Sequence, residues 1–279
     1  VIKEKAEKSK KKFNNEVTEF VLPNLNLKTQ TVLNLFSDVQ YDLRRVRNEK
    51  RVKPIYFTQF PKDLDEISNV AFDIFSELHQ NTANRFYIVP GGTTPSLFLN
   101  LISEKIEDWS NTQFILSDER IVDDKRLSNE SMVDESFLMK INRDEKPVLL
   151  KYNRGENQTE LKTLLKNRSP NIAILGLGND GHTASLFPGN SNILNDNNKF
   201  CLRVRNSWED YDRVSLSFSY LMKSNQIIFL VNGESKAMAL KECLIGSYNP
   251  IQYPAQYIFN NYEKPINIYC DKTVGKYIE

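Results

Sequence analysis

From residue 54 onward, short apolar runs alternate with stretches of amphipathic helical spacing, and this alternation restricts the fold more than any other property of the chain. PIYFTQF (54–60), RFYIVP (85–90), TQFILSDER (112–120), KPVLLKY (146–152), NIAILGLG (171–178) and PINIYCD (265–271) read as strands. The run RVSLSFSYLMKSNQIIFLVNG (213–233) supplies two more. Between them, residues 63–82, 94–105, 129–141, 157–167 and 234–245 read as helices, the first with Asp63 or Asp65 near its start. Strands separated by helices of this length build a mostly parallel sheet covered on both faces. The expected architecture is therefore α/β, a mostly parallel sheet with helices on both faces in a Rossmann-like layered fold.

Before that core the pattern changes. Residues 1–12, VIKEKAEKSKKK, are strongly basic and read as a solvated arm. Residues 14–25 and 29–51 read as helical pieces interrupted at Pro23, with Val32, Leu35, Phe36 and Val39 at helical spacing in the second. The chain thus divides into a charged, partly helical extension over 1–53 and a core domain over 54–279. Lysine plus arginine (37) nearly balance aspartate plus glutamate (36), so no global charge points to nucleic acid or a membrane surface. No apolar run approaches the roughly 20 residues that span a bilayer. Cys201, Cys243 and Cys270 are far apart and odd in number. They read as small hydrophobes in a reducing, cytoplasmic setting rather than as a disulfide or zinc framework.

Four segments carry candidate chemistry. ILGLGNDGHTASLFPG (174–189) places Gly176, Gly178 and Gly181 behind an apolar strand in a G-x-G-x-x-G spacing, and Asp196 follows at a distance suited to a ribose. A dinucleotide site also needs a helix of several turns after the glycines, to direct its dipole at the pyrophosphate. Pro188-Gly189 and the asparagine-rich loop behind them exclude that helix. What remains is Asp180-Gly181-His182 at the carboxyl end of a buried strand, where α/β sheets place their chemistry. His182 reads either as a catalytic base or as a hydrogen-bonded structural histidine. The other histidine, His79, falls in a helical pattern and reads as a surface or boundary side chain.

Gly91-Gly92-Thr93-Thr94-Pro95 lies between a strand and a helix. It is a cradle for one phosphate, or simply a tight turn, and it lacks the lysine of a nucleotide triphosphate loop. Asp118-Glu119-Arg120 ends another strand, as a solvated rim or as an anion-binding arginine with its carboxylates. Lys236 sits near a helix start, where it opposes the helix dipole; binding an anion explains that placement, and so does solvent exposure.

Taken together, PGGTTP, LSDER with SNESM, LGLGNDGHTASLFPG, RVSLSF and VNGESKAMAL resemble the 6-phosphogluconolactonase family, within the wider glucosamine-6-phosphate isomerase/6-phosphogluconolactonase superfamily. The resemblance covers roughly residues 54–279, and its histidine segment is highly specific. It implies hydrolysis of 6-phosphoglucono-δ-lactone to 6-phosphogluconate in the oxidative pentose phosphate pathway, without metal or cofactor. It implies His182 as the base activating water, with Asp180 orienting the imidazole or a sugar hydroxyl. Gly91, Gly92, Thr93, Thr94, Asp118, Arg120 and Lys236, with Arg203 or Arg205 and with Arg213 as a further candidate, would surround the phosphate and hydroxyls. Main-chain N–H groups near Gly178 and Gly181 are candidate oxyanion donors. In some organisms this lactonase is fused to glucose-6-phosphate dehydrogenase, which would be a fused or associated partner here. The aminosugar-phosphate isomerase/deaminase branch shares the phosphate loop and DGH, but continues differently from TASLFPG. A sugar-phosphate-binding protein with a dead site is the other alternative.

Overall fold

The computed structural model describes residues 47–48, 51–52, 56–59, 61–141, 146–153, 158–196, 199–205 and 207–278. The basic arm and most of the 1–53 extension lie outside the described residues. Within the extension, strands β1 (Arg47–Asn48) and β2 (Arg51–Val52) pair antiparallel, where the sequence pattern suggested helix.

The core follows in the order β3 (Tyr56–Gln59), α1 (Leu64–Gln80), β4 (Arg85–Val89), α2 (Thr93–Lys105), β5 (Thr112–Leu116), β6 (Asp118–Arg120), α3 (Asn129–Ser136), β7 (Val148–Leu150), α4 (Thr159–Leu165) and β8 (Ile172–Gly176). Then come β9 (Cys201–Val204), β10 (Arg213–Leu216), α5 (Phe218–Leu221), β11 (Gln226–Val231), α6 (Ala237–Ile245), α7 (Gln256–Asn261), β12 (Ile266–Cys270) and α8 (Lys272–Gly275). Seven strands form a parallel sheet in the order β3-β12-β11-β8-β4-β5-β7. A smaller antiparallel sheet, β6-β10-β9, stands beside it.

The period of two along each strand sorts side chains onto two faces. Ala173 and Leu175 of β8, with Ile227, Phe229 and Val231 of β11, pack against Leu161 and Leu165 of α4, Leu240 of α6 and Ile258 of α7. Ile172 and Ile174 of β8, with Ile228 and Leu230 of β11, face Ile67 and Phe75 of α1 and Phe98 and Ile102 of α2. Asp63 is the N-cap of α1, its carboxylate accepting from the Glu66 N–H at 3.1 Å.

Three expectations change. TQFILSDER is not one strand: Ser117 N–H donates to Val89 O and Ser117 O accepts from Leu216 N–H, both at 2.8 Å, and the chain crosses there from one sheet to the other. β10 accordingly belongs to the antiparallel sheet, with β9, which the pattern had not marked. His79 is not at the surface; it is 2% exposed. Its Nδ1 meets Tyr87 Oη at 3.2 Å and its Nε2 meets Asp108 O at 2.6 Å, so both ring nitrogens are satisfied inside an aromatic cluster with Phe75 and Trp109. Among the described residues no helix is long and apolar enough to cross a membrane.

Candidate active site

In the large sheet, β4, β5 and β7 run outward in one direction, while β8, β11 and β12 run outward in the other. The reversal falls between β4 and β8, and loops leaving neighbouring strands there diverge and open a crevice. A cleft of about 440 Å³ occupies this place, lined by the loops after β4, β8 and β11 and by parts of β6, β10 and α3. Gly91, Gly92, Thr93, Thr94, Asp118, Arg120, His182, Arg213 and Lys236 all line it. The fold therefore gathers residues from five separate sequence segments.

The His182 side is built by a tight turn. Gly178 N–H donates to His182 O at 2.8 Å and Gly181 N–H to Gly178 O at 3.1 Å. The N–H groups of these two glycines are thus used within the loop. Asp180 Oδ1 meets His182 Nδ1 at 2.6 Å and accepts the His182 main-chain N–H at 3.1 Å. A carboxylate is only an acceptor, so the proton sits on Nδ1 and the Nε2 lone pair is left to take a proton. Burial opposes ionisation of Asp180, but these hydrogen bonds and the nearby imidazole bring its carboxyl below the usual carboxylate range.

The three glycines of the loop have different duties. A Cβ on Gly178 would lie 2.2 Å from His182 Nδ1, so only hydrogen leaves room for the imidazole. Gly181 has φ +81° and lies against Tyr253. Gly176 faces open space. Gly178→Ala is therefore expected to lower kcat at least ~10-fold more than Gly176→Ala, since it displaces the His182 imidazole. Steady-state kinetics of the two variants check this.

The opposite chemistry comes from the loop after β4. Gly92 has φ +99° and is the N-cap of α2, whose first-turn N–H groups lack helical partners. A Cβ on Gly91 would lie 2.1 Å from Asn129 Oδ1, so glycine there admits the Asn129 amide. That amide donates to Asp118 O at 3.0 Å and accepts from Arg120 Nη1 at 3.2 Å. Arg120 Nη1 also donates to Leu127 O at 2.7 Å, while its Nε is buried without a partner among the described residues. Glu119 points away from the cleft as a cap for α3, accepting from Asn129 N–H at 2.8 Å and Glu130 N–H at 2.6 Å. Lys236 is half-buried, and that burial, partly offset by the Asp271 carboxylate, lowers its ammonium below the ordinary value. An anion in the cleft would restore it.

Arg213 differs from these two cations. Its guanidinium is paired with Glu209 through Nε (2.8 Å) and Nη2, lies 3.6 Å from Asp118 and 3.4 Å from Ser185 Oγ. Two carboxylates already compensate its charge. Arg203 and Arg205 do not line the cleft; both turn to Asp212, at 2.7 and 3.2 Å. Arg203 on β9, an edge strand of the small sheet, and Arg205 just past its end flank buried Val204 and are both exposed. Asn129 and Ser185 were not singled out by sequence. SNESM and TASLF contain them, but only the fold shows that they brace Arg120 and Asp118.

The match to a known family is extensive. Residues 65–266 match the family described as glucosamine-6-phosphate isomerases/6-phosphogluconolactonase. A 6-phosphogluconolactonase of Neisseria meningitidis is 27% identical over 184 residues, covering 62% of this chain and 79% of that protein. A probable 6-phosphogluconolactonase of Dictyostelium discoideum is 24% identical over 184 residues, covering 61% and 78%. Among solved structures, the 6-phosphogluconolactonase of Trypanosoma brucei has the same fold with a TM-score of 0.68 at 20% identity, over 81% of this chain and 99% of that one. That of Shewanella baltica has a TM-score of 0.67 at 24% identity, over 78% and 98%. By family match, sheet order and the contents of its cleft, the chain belongs to the glucosamine-6-phosphate isomerase/6-phosphogluconolactonase family.

Proposed function

We propose that this chain is a 6-phosphogluconolactonase, hydrolysing 6-phosphoglucono-δ-lactone to 6-phosphogluconate in the cytoplasm as part of the oxidative pentose phosphate pathway. The observation that carries this reading is a carboxylate-oriented imidazole in the same cleft as two cations, Arg120 and Lys236, that have no carboxylate within ion-pair distance among the described residues. His182 Nε2 takes a proton from water as the water oxygen bonds to the lactone carbonyl carbon. The tetrahedral intermediate collapses with cleavage of the ring C–O bond, and the proton passes from His182 to the departing ring oxygen. Lys236, Arg120 and the first-turn N–H groups of α2 hold the phosphate, which fixes the carbonyl relative to His182. Arg213, already paired, holds Asp118 in place and binds the phosphate only secondarily. A glucose-6-phosphate dehydrogenase, fused or associated, would supply the lactone directly. The division into an extension over 1–53 and a catalytic domain over 54–279 belongs to the same proposal.

The test is a rate measurement with freshly prepared 6-phosphogluconolactone against the spontaneous rate in buffer. Lactonase activity well above the blank is expected. No excess over the blank, with fructose 6-phosphate formed from glucosamine 6-phosphate, assigns the chain to the isomerase branch instead. Lys236→Met is expected to raise KM for the phosphorylated lactone by about 10-fold or more, as loss of a charged hydrogen-bonding partner does. It should leave the slow hydrolysis of unphosphorylated gluconolactone unchanged, and an equal effect on both lactones would refute the phosphate role.

A further inference from the structure

We infer that Phe187 is a positioning residue for the His182 imidazole and that Trp208, outside the cleft, is its outer support. This rests on His182 being the base. The Asp180 bond fixes one atom of the imidazole, and the Gly178 bond fixes the backbone behind it. A ring held at one atom still rocks about that bond, and rocking moves Nε2, the atom that must meet water. The ring of Phe187 removes this freedom. Its centroid lies 4.8 Å from that of His182, with the planes at 56°.

The local chain explains how a residue five positions on returns to the histidine. Thr183 and Leu186 form an isolated antiparallel bridge, with Leu186 N–H donating to Thr183 O at 3.0 Å. Between them Ala184 takes φ +51°, a left-handed conformation that alanine adopts only when its surroundings impose it. The bridge folds 187 back beside 182.

Phe187 is 6% exposed and does not line the cleft that holds His182. It is held from two further sides. The Arg213 guanidinium lies 5.4 Å from its centroid, and the Trp208 indole meets it edge-on at 5.6 Å and 81°. Trp208 is 62% exposed, an unusual cost for the largest apolar side chain. Its one aromatic neighbour among the described residues is Phe187. The loop that carries it also carries Glu209, the partner of Arg213. One surface loop therefore carries both the indole against Phe187 and the carboxylate that pairs with Arg213.

The experiment compares kcat and KM of Phe187→Leu, Trp208→Ala and Trp208→Phe, with Phe137→Leu as a stability control from the aromatic cluster on the other face of the sheet. A misplacement of about 1 Å costs up to ~10²-fold, so partial rocking is expected to lower kcat about 10-fold in Phe187→Leu and about 3-fold in Trp208→Ala, with KM within about twofold of wild type. Trp208→Phe, which keeps an aromatic edge, should restore kcat. Phe137→Leu should lower Tm without lowering kcat. An unchanged kcat in folded Phe187→Leu, or a loss carried wholly by KM, overturns the inference. If Phe187→Leu does not fold, Trp208→Ala decides alone: an unchanged kcat there overturns it. Failure of the parent reading looks different, because His182→Ala would then retain full turnover.

Discussion

His182→Ala is expected to lower kcat by about 10²–10⁴, the range that a positioned general base contributes. Three features place the whole of that effect on one side chain. Asp180 holds the Nδ1 proton, so Nε2 is the imidazole nitrogen left to accept one. The remaining histidine, His79, is enclosed on the far side of β4 with both nitrogens engaged. In the proposed mechanism phosphate binding rests on Lys236, Arg120 and main-chain groups that the substitution leaves in place. KM, or the Kd for 6-phosphogluconate, should therefore change little while turnover approaches the spontaneous rate. Asp180→Asn keeps the shape but no longer selects the Nδ1 tautomer, and a loss of about 10–100-fold is expected, as for other residues that orient a working histidine. Retention of more than a tenth of wild-type kcat in His182→Ala would refute the mechanism.

The second large effect concerns stability and acid. Burial, with smaller opposing contributions from the Asp108 carbonyl, lowers His79 from 6.5 to about 4. A histidine kept neutral in the fold gains its proton more readily when unfolded. Its contribution to stability is fully present above about pH 6.5, declines as pH falls toward 4, and is constant below that. Between pH 7.5 and 5 the loss amounts to about 2 kcal/mol from this one group. His79→Phe fills the same aromatic cluster without the titration. It forfeits two polar contacts at every pH, so the informative quantity is the pH dependence rather than the absolute stability. Urea unfolding at pH 7.5 and pH 5 should show a clearly smaller acid penalty in the variant. Equal penalties in the two proteins would contradict the assignment to His79.

How much of this was legible in the sequence depended on whether the signal was local. α1 was readable because Asp63, its acidic first turn and the spacing of Ile67, Ala71, Ile74 and Phe75 all agree over seventeen residues. β8 was readable because four consecutive buried apolar residues, Ile172 to Leu175, have no other use. His182 and its loop were readable because the motif is contiguous and Pro188 excludes the helix that a cofactor requires. The break at Ser117 was not, because its cause is a pair of hydrogen bonds to Val89 and Leu216, distant in sequence. The burial of His79 was hidden for the same reason: its partners are Tyr87 and Asp108. Choosing among Arg203, Arg205 and Arg213 required knowing which had carboxylates nearby, and Glu209 and Asp212 stand close to all three in sequence. Only the pairing of β9 with β10 decides that Arg213 turns inward and the others outward.

The place of β3 in the large sheet has a consequence for how the chain assembles. The first core strand lies at one edge, and its sole partner is β12, with Tyr56 opposite Ile266, about 210 residues later. The early strands β4, β5 and β7 lie at the other edge, on the far side of β8 and β11. The side of the sheet built from β8, β11 and β12 therefore takes its edge strand from the other end of the core, and no cut between β7 and β8 leaves that side complete. Closing such long loops before contacts compensate them makes folding slow and strongly all-or-none. Two fragments divided between β7 and α4 should each be incompetent alone yet regain activity when mixed, behaving as a split enzyme whose reassembly reports on the formation of the sheet.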